Sequence, residues 1–149
     1  MDTKRKEEIA LKAFRNNFNC AQAVVMAYTG DRDNHLLSGA SAFGGGMGRL
    51  QKTCGAVTGS FMVLGATLGG SEAGTPESKA RIATVIQEFH ARFLNQFGSS
   101  DCIDLLGFNI NTTEGKEKVS ELKLSEKVCE KCVAGSIAII DDMVSVYKR

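Results

Sequence analysis

The stretch "TPESKARIATVIQEFHARFLNQFG", Thr75 to Gly98, decides the fold class. Thr75 offers a side-chain oxygen to the free N–H groups of a helix start, and Pro76 has no N–H to lose in a first turn. Ile82, Val85, Ile86, Phe89, Phe93, Leu94 and Phe97 then recur at helical steps, forming one continuous apolar stripe. Gly98 supplies the stop. A helix this long and one-sided needs partners to cover its stripe.

The rest of the chain supplies them. Lys4 to Phe18 carries Ile9, Ala13, Phe14 and Phe18 on one face, and Cys20 to Tyr28 repeats the pattern with Ala21, Val24, Val25 and Tyr28. A shorter segment around Asn34 to Phe43 leads into a glycine-rich loop. An uncharged helix follows over about Thr53 to Leu68. "SSDCIDLLG" reads as a cap, a helical turn and a stop at Gly107. Thr113 begins a polar helix, and Ser125 begins the last, on which Val133, Ile137, Ile140, Val144 and Tyr147 share a face. Alternating strands, internal repeats and low-complexity tracts are lacking. The expected fold is all-α: a compact bundle of five or six main helices with short loops, in a single domain over residues 1–149.

Composition narrows the function classes. Eighteen basic and 17 acidic side chains leave a net charge of +1, which gives no field for steering nucleic acid or an anionic membrane. The runs "KRKEEIALK" and "EGKEKVSELK" mix signs and read as solvated helix faces. Thr53 to Ser71 is uncharged and long enough to suggest a membrane span, but Gly, Thr and Ser dilute it, so a helix at the centre of a bundle is expected instead. The charged N-terminus has no secretory signal pattern, and the sequon at Asn111 to Thr113 therefore carries no weight. A cytoplasmic protein is expected.

Five cysteines stand out in such a protein, because structural disulfides are uncommon in a reducing compartment. One of them sits in "GGGMGRLQKTCGAVTG", Gly44 to Gly59, which holds six of the chain's 16 glycines. Gly44, Gly45, Gly46 and Gly48 permit unusual backbone and can leave N–H groups free to face an anion, as a cofactor-binding collar would. Gly55 and Gly59, one helical turn apart, remove bulk beside Cys54 so that another helix can approach. The ending Lys52-Thr53 fails as a phosphate-binding loop, since Gln51 replaces the required glycine and no strand precedes it.

Cys20 follows Asn19, Cys54 follows Thr53, Cys102 follows "SSD", and Cys129 lies in the first turns after Ser125. Each is thus expected at or near a helix N-terminus, where free N–H groups and the helix dipole favour thiolate over thiol. Such an end contributes about 0.3–1 kcal/mol when exposed and ~2 when partly buried. Cys129 and Cys132 form a C-x-x-C pair, in which the helical wheel places Cys129 inward and Cys132 toward the stripe's edge, making Cys129 the inward partner and Cys132 a reserve or resolving thiol.

These residues resemble the C_GCAxxG_C_C family of small proteins with a proposed redox role. "CGAVTG" at Cys54 to Gly59 matches its central signature, and Cys20 in "NCAQAV", the lead-in "AFGGGMGRLQKT", Cys102 in "CIDLLG" and Cys129 match the other parts in order. The resemblance spans nearly the whole chain and implies an all-helical domain with four key cysteines and a redox or metal role. A related helical domain in a multihaem cytochrome carries an iron–sulfur cluster. Cys132 departs from the family pattern, which more often has an aromatic or aliphatic residue there.

Two readings of different class follow. In the first, the chain is an oxidoreductase-like redox protein: a thiolate, Cys54 foremost, exchanges with a disulfide or small oxidant and is resolved by a neighbour among Cys20, Cys102, Cys129 and Cys132, with no cofactor needed. In the second, Cys20, Cys54, Cys102 and Cys129 ligate zinc or an iron–sulfur cluster, although their spacings lack the short knuckles of zinc sites. A third, inert reading treats the cysteines as small core hydrophobes. His35 and His90 are expected to be structural or exposed. The partner would be a redox protein or a small thiol or disulfide, with no nucleic acid and no membrane insertion, and the small-residue helix faces admit a homodimer.

Overall fold

The computed structural model describes residues 1–30, 34–69 and 74–148. Eight α-helices follow in order: α1 (Thr3–Arg15), α2 (Cys20–Thr29), α3 (Asn34–Ala40), α4 (Gly55–Leu68), α5 (Pro76–Phe97), α6 (Cys102–Leu106), α7 (Thr113–Glu121) and α8 (Glu130–Tyr147). A 3-10 turn at Ser41–Phe43 extends α3, and a π-helical turn at Ser125–Cys129 leads into α8. Among the described residues the all-α expectation holds, and the β pairing is one isolated bridge between Thr53 and Asp101. The expected count of five or six main helices falls short of these eight. The additions are short: α3 has 7 residues and α6 has 5, each formed where caps and glycines chop the chain.

The long helix forms as its sequence dictates. Thr75 caps it by accepting from the Ser78 N–H, Pro76 fills the first turn, and Gly98 closes it with φ +83°. Val85, Phe89 and Phe93 are fully buried, while Ile82, Ile86 and Phe97 pack at the core's margin. Leu94 lies off that face and is 36% exposed. Phe61, Phe89, Phe93 and Phe97 form a run of ring contacts with centroids 4.6–6.2 Å apart.

The uncharged helix α4 occupies the centre, packed on α2, α5 and α8. Nine of its 14 residues are buried, which explains why it carries no charge. The last residues of the uncharged run, Gly70 and Ser71, lie outside the described residues. Close approach to α2 depends on two glycines. A Cβ at Gly59 would sit 2.7 Å from the Ala21 carbonyl oxygen, and one at Gly55 would sit 3.1 Å from the Cys20 Cβ. Their absence lets the first turns of α2 and α4 touch. No helix among the described residues is long and apolar enough to cross a membrane.

Away from that contact, α1 is tied to α8. Asp141 accepts hydrogen bonds from Thr3 Oγ1 (2.7 Å), Lys6 Nζ (3.0 Å) and Tyr28 OH (2.7 Å). The Lys6 ammonium also lies 5.0 Å from the centre of the Tyr28 ring.

Candidate functional site: a thiol-lined cavity

All five cysteines line one cavity of about 210 Å³. Three helix starts deliver three of them. Cys20 is the first residue of α2, where Asn19 forms a capping box with Gln22. Cys54 is the N-cap of α4, and Cys102 is the first residue of α6. Cys129 ends the π turn before α8, and Cys132 lies one turn further along. Such wide turns are rare and recur at functional sites. Most of the remaining wall is apolar, from Phe14, Leu105, Leu106, Ile110, Val119 and Val128, with Asn19 and Ser125 as the polar exceptions.

A pairing between distant loops joins two of these helix starts. The Cys54 N–H donates to the Ser100 carbonyl (2.7 Å), the Cys102 N–H to that of Lys52 (2.7 Å), and the Ile103 N–H to that of Gln51 (3.1 Å). With the Thr53–Asp101 bridge between them, these bonds set Cys54 and Cys102 beside each other. Thr53 is therefore a bridge residue, and not the helix cap its position suggests. His90 reaches from α5 to steady the same pairing, with Nε2 2.9 Å from Ser100 Oγ.

The glycine loop supplies the cavity's next wall. Five consecutive residues, Gly45, Gly46, Met47, Gly48 and Arg49, have positive φ of 58–73°, so the chain makes a left-handed turn. Ordinary L-residues resist that hand by roughly 1–2 kcal/mol each, which is why three of the five are glycine. Gly46 is needed twice over: at φ +73°, a Cβ there would also meet the Cys102 Cβ at 2.7 Å. Gly45, Gly46 and Gly55 line the cavity. Gly44 and Gly48, grouped with them in the sequence as a cofactor collar, instead line a separate depression with Asn19, Ser41 and Arg49.

Gln51 is the residue that sequence reasoning missed. It is buried, with φ +56°. Its Nε2 donates to the Phe108 carbonyl (2.8 Å), and its Oε1 accepts from the Ile110 N–H (3.0 Å), clamping the loop after α6. The same Nε2 lies 3.9 Å from Cys102 Sγ. Its only sequence signal was an amide standing where a phosphate loop would have glycine.

All five cysteines are free thiols. Cys132 hydrogen-bonds to Cys54, and this bond above all holds the Cys54 thiol below its ordinary range; burial opposes it, and the N–H groups of Ala56 and Val57 assist. Cys132 is pushed up by that same bond and then by burial. Cys20 and Cys129 repeat the arrangement, with Cys129 lowered by its bond to Cys20, and Cys20 raised by the bond and by burial. Cys102 stands apart, pushed up to about 11 by burial first and then by the neighbouring Cys54 charge.

Helix ends alone would lower every thiol they hold, and here they do not. The bond to Cys129 and then burial outweigh the dipole at Cys20, and burial does so at Cys102. The C-x-x-C pair differs from the helical wheel as well. Cys132, expected at the stripe's edge, is 1% exposed, whereas Cys129 is half-buried. Cys132 sits a turn deeper beside Cys54, and Cys129 borders the end of the helix. Position along the axis, which a wheel discards, decides the burial.

Among the described residues, no group of three or more His, Cys, Asp or Glu side chains is arranged to hold a metal ion.

This arrangement can be set beside known families. The family described as "Putative redox-active protein (C_GCAxxG_C_C)" matches residues 18–143. The chain belongs to this family. Its match takes in every cysteine, the glycine loop and the α6 pairing, and it stops short only of α1 and the last turn of α8. No curated protein and no solved structure matches the chain. The C_GCAxxG_C_C assignment carries a redox-active description and leaves the chemistry to the site itself.

Proposed function

We propose that this C_GCAxxG_C_C protein is a thiol–disulfide redox protein in which Cys54 is the attacking thiolate and Cys132 resolves it. The observation that carries this reading is the convergence of Cys54, at the N-terminus of α4, and Cys132, on the first turn of α8, on a single cavity. Exchange needs an ionised attacking sulfur beside a protonated one, and the lowering of Cys54 with the raising of Cys132 points the same way. Cys129 with Cys20 forms a second couple, able to pass electrons on from the first. Cys102 and Gln51 shape the wall between helix starts. A reducing compartment such as the cytoplasm suits this chemistry, since it keeps the thiols ready.

The rival is a zinc ion or iron–sulfur cluster on Cys20, Cys54, Cys102 and Cys129, and one experiment separates the two. The protein is purified anaerobically, its visible spectrum and metal content are recorded, and titratable thiols are counted before and after reductant. Colourless, metal-free protein whose thiol count rises in pairs on reduction supports the exchange reading. Stoichiometric iron or zinc with no titratable thiols overturns it.

A further inference from the structure

Resting on that exchange reading, we infer that the cavity selects small, uncharged, apolar disulfides and turns away charged ones. Cys54 and Cys132 are 7% and 1% exposed, so a substrate meets them only by entering the cavity. Apart from the thiols, the polar side chains lining it are Asn19 and Ser125, and no Lys, Arg, His, Asp or Glu is among its described walls. A carboxylate or ammonium drawn inside loses its water and finds no countercharge, which is strongly unfavourable. The volume of about 210 Å³ is enough for a compact disulfide to enter.

The step balances without a further reactant. The Cys54 thiolate attacks one sulfur of the substrate R–S–S–R, breaking its S–S bond and expelling R–S⁻. Cys132 then gives up its proton and attacks Cys54, forming the Cys54–Cys132 disulfide and releasing the second R–S, which leaves as R–SH with that proton. The protein pair is oxidised by two electrons and the substrate is reduced by two; an external dithiol restores the pair.

Three nearly isosteric probes test the selection: bis(2-hydroxyethyl) disulfide (neutral), dithiodipropionate (anionic) and cystamine (cationic). Each rate of oxidation of the reduced protein is divided by that probe's rate with a small free thiol. We expect the neutral probe to be at least tenfold faster than both charged ones, a ratio worth about 1.4 kcal/mol. In Val119→Lys, which adds a cation at the cavity wall on the surface helix α7, the anionic probe should gain on the other two. Equal normalised rates would overturn the inference. So would slowness of the anionic probe alone, since repulsion by the thiolate then explains it. Diamide serves as the control: if it forms the Cys54–Cys132 disulfide while the probes show no preference, the exchange reading stands and the selectivity falls. If no disulfide forms with any oxidant, both fall.

Discussion

Asp141 and Cys54 are both largely shielded ionisable groups, and the protein treats them in opposite ways. Asp141 meets three donors, from Thr3, Lys6 and Tyr28, and its charge is answered on the spot. Cys54 faces a cavity lined by other thiols, with no cation among its described walls. The first arrangement holds α1 against α8. The second, in the proposed exchange reading, leaves a nucleophile only partly compensated, as a group must be if it is to react. On that reading stability and reactivity lie in different parts of one small bundle.

The largest effect expected from breaking this contrast is at the reactive end. Cys54→Ser should reduce disulfide exchange to the background rate, while circular dichroism and Tm stay close to those of the parent. If exchange survives, the attacking sulfur is not Cys54. Gly59→Val strikes the packing that brings the helix starts together, because its first added carbon would lie 2.7 Å from the Ala21 carbonyl oxygen. A loss of about 3 kcal/mol in denaturant unfolding is expected, within the usual range for overpacking. An unchanged midpoint would mean that α2 and α4 do not cross so closely.

A smaller effect belongs to Asp141. Its hydrogen bonds from Thr3, Tyr28 and Lys6 overcome the cost of burial and hold its carboxyl below the ordinary aspartate value of 3.8. A depressed folded pKa contributes stability that is present above 3.8 and lost as pH falls through the folded value. Asp141→Asn should therefore cost about 2 kcal/mol near neutrality, and the difference from the parent should shrink in strongly acidic solution. A pH-independent difference would contradict the assignment. The smallest effect is at His90→Ala, which removes the bond to Ser100 and should cost about 1 kcal/mol. Its specific sign is faster amide hydrogen exchange at Cys54 and Cys102, with exchange on α1 unchanged.

Features governed by local chemistry were legible in the sequence. The stripe on α5, the caps at Asn19 and Thr75, the buried character of α4 and the close approach at Gly55 and Gly59 all follow from residue type and helical spacing. The gathering of thiols could be anticipated because four of the five, Cys20, Cys54, Cys102 and Cys129, lie near helix-start signals. What periodicity could not report is pairing across the chain. The bridge between Thr53 and Asp101 joins two loops that have no pattern of their own, and Gln51 acquires its role only once that bridge forms. The left-handed turn was half visible, in its glycines, but nothing in Met47, Arg49 or Gln51 announced positive φ. The π turn before α8 likewise has no residue signature.

The most direct test of the account is peptide mapping of disulfides after brief oxidation with one equivalent of diamide per thiol pair. The expected linkages are Cys54 to Cys132 and Cys20 to Cys129, with Cys102 still open to alkylation. Linkages that join Cys54 to Cys129 or Cys20 in preference, or cross-links only between molecules, would contradict it.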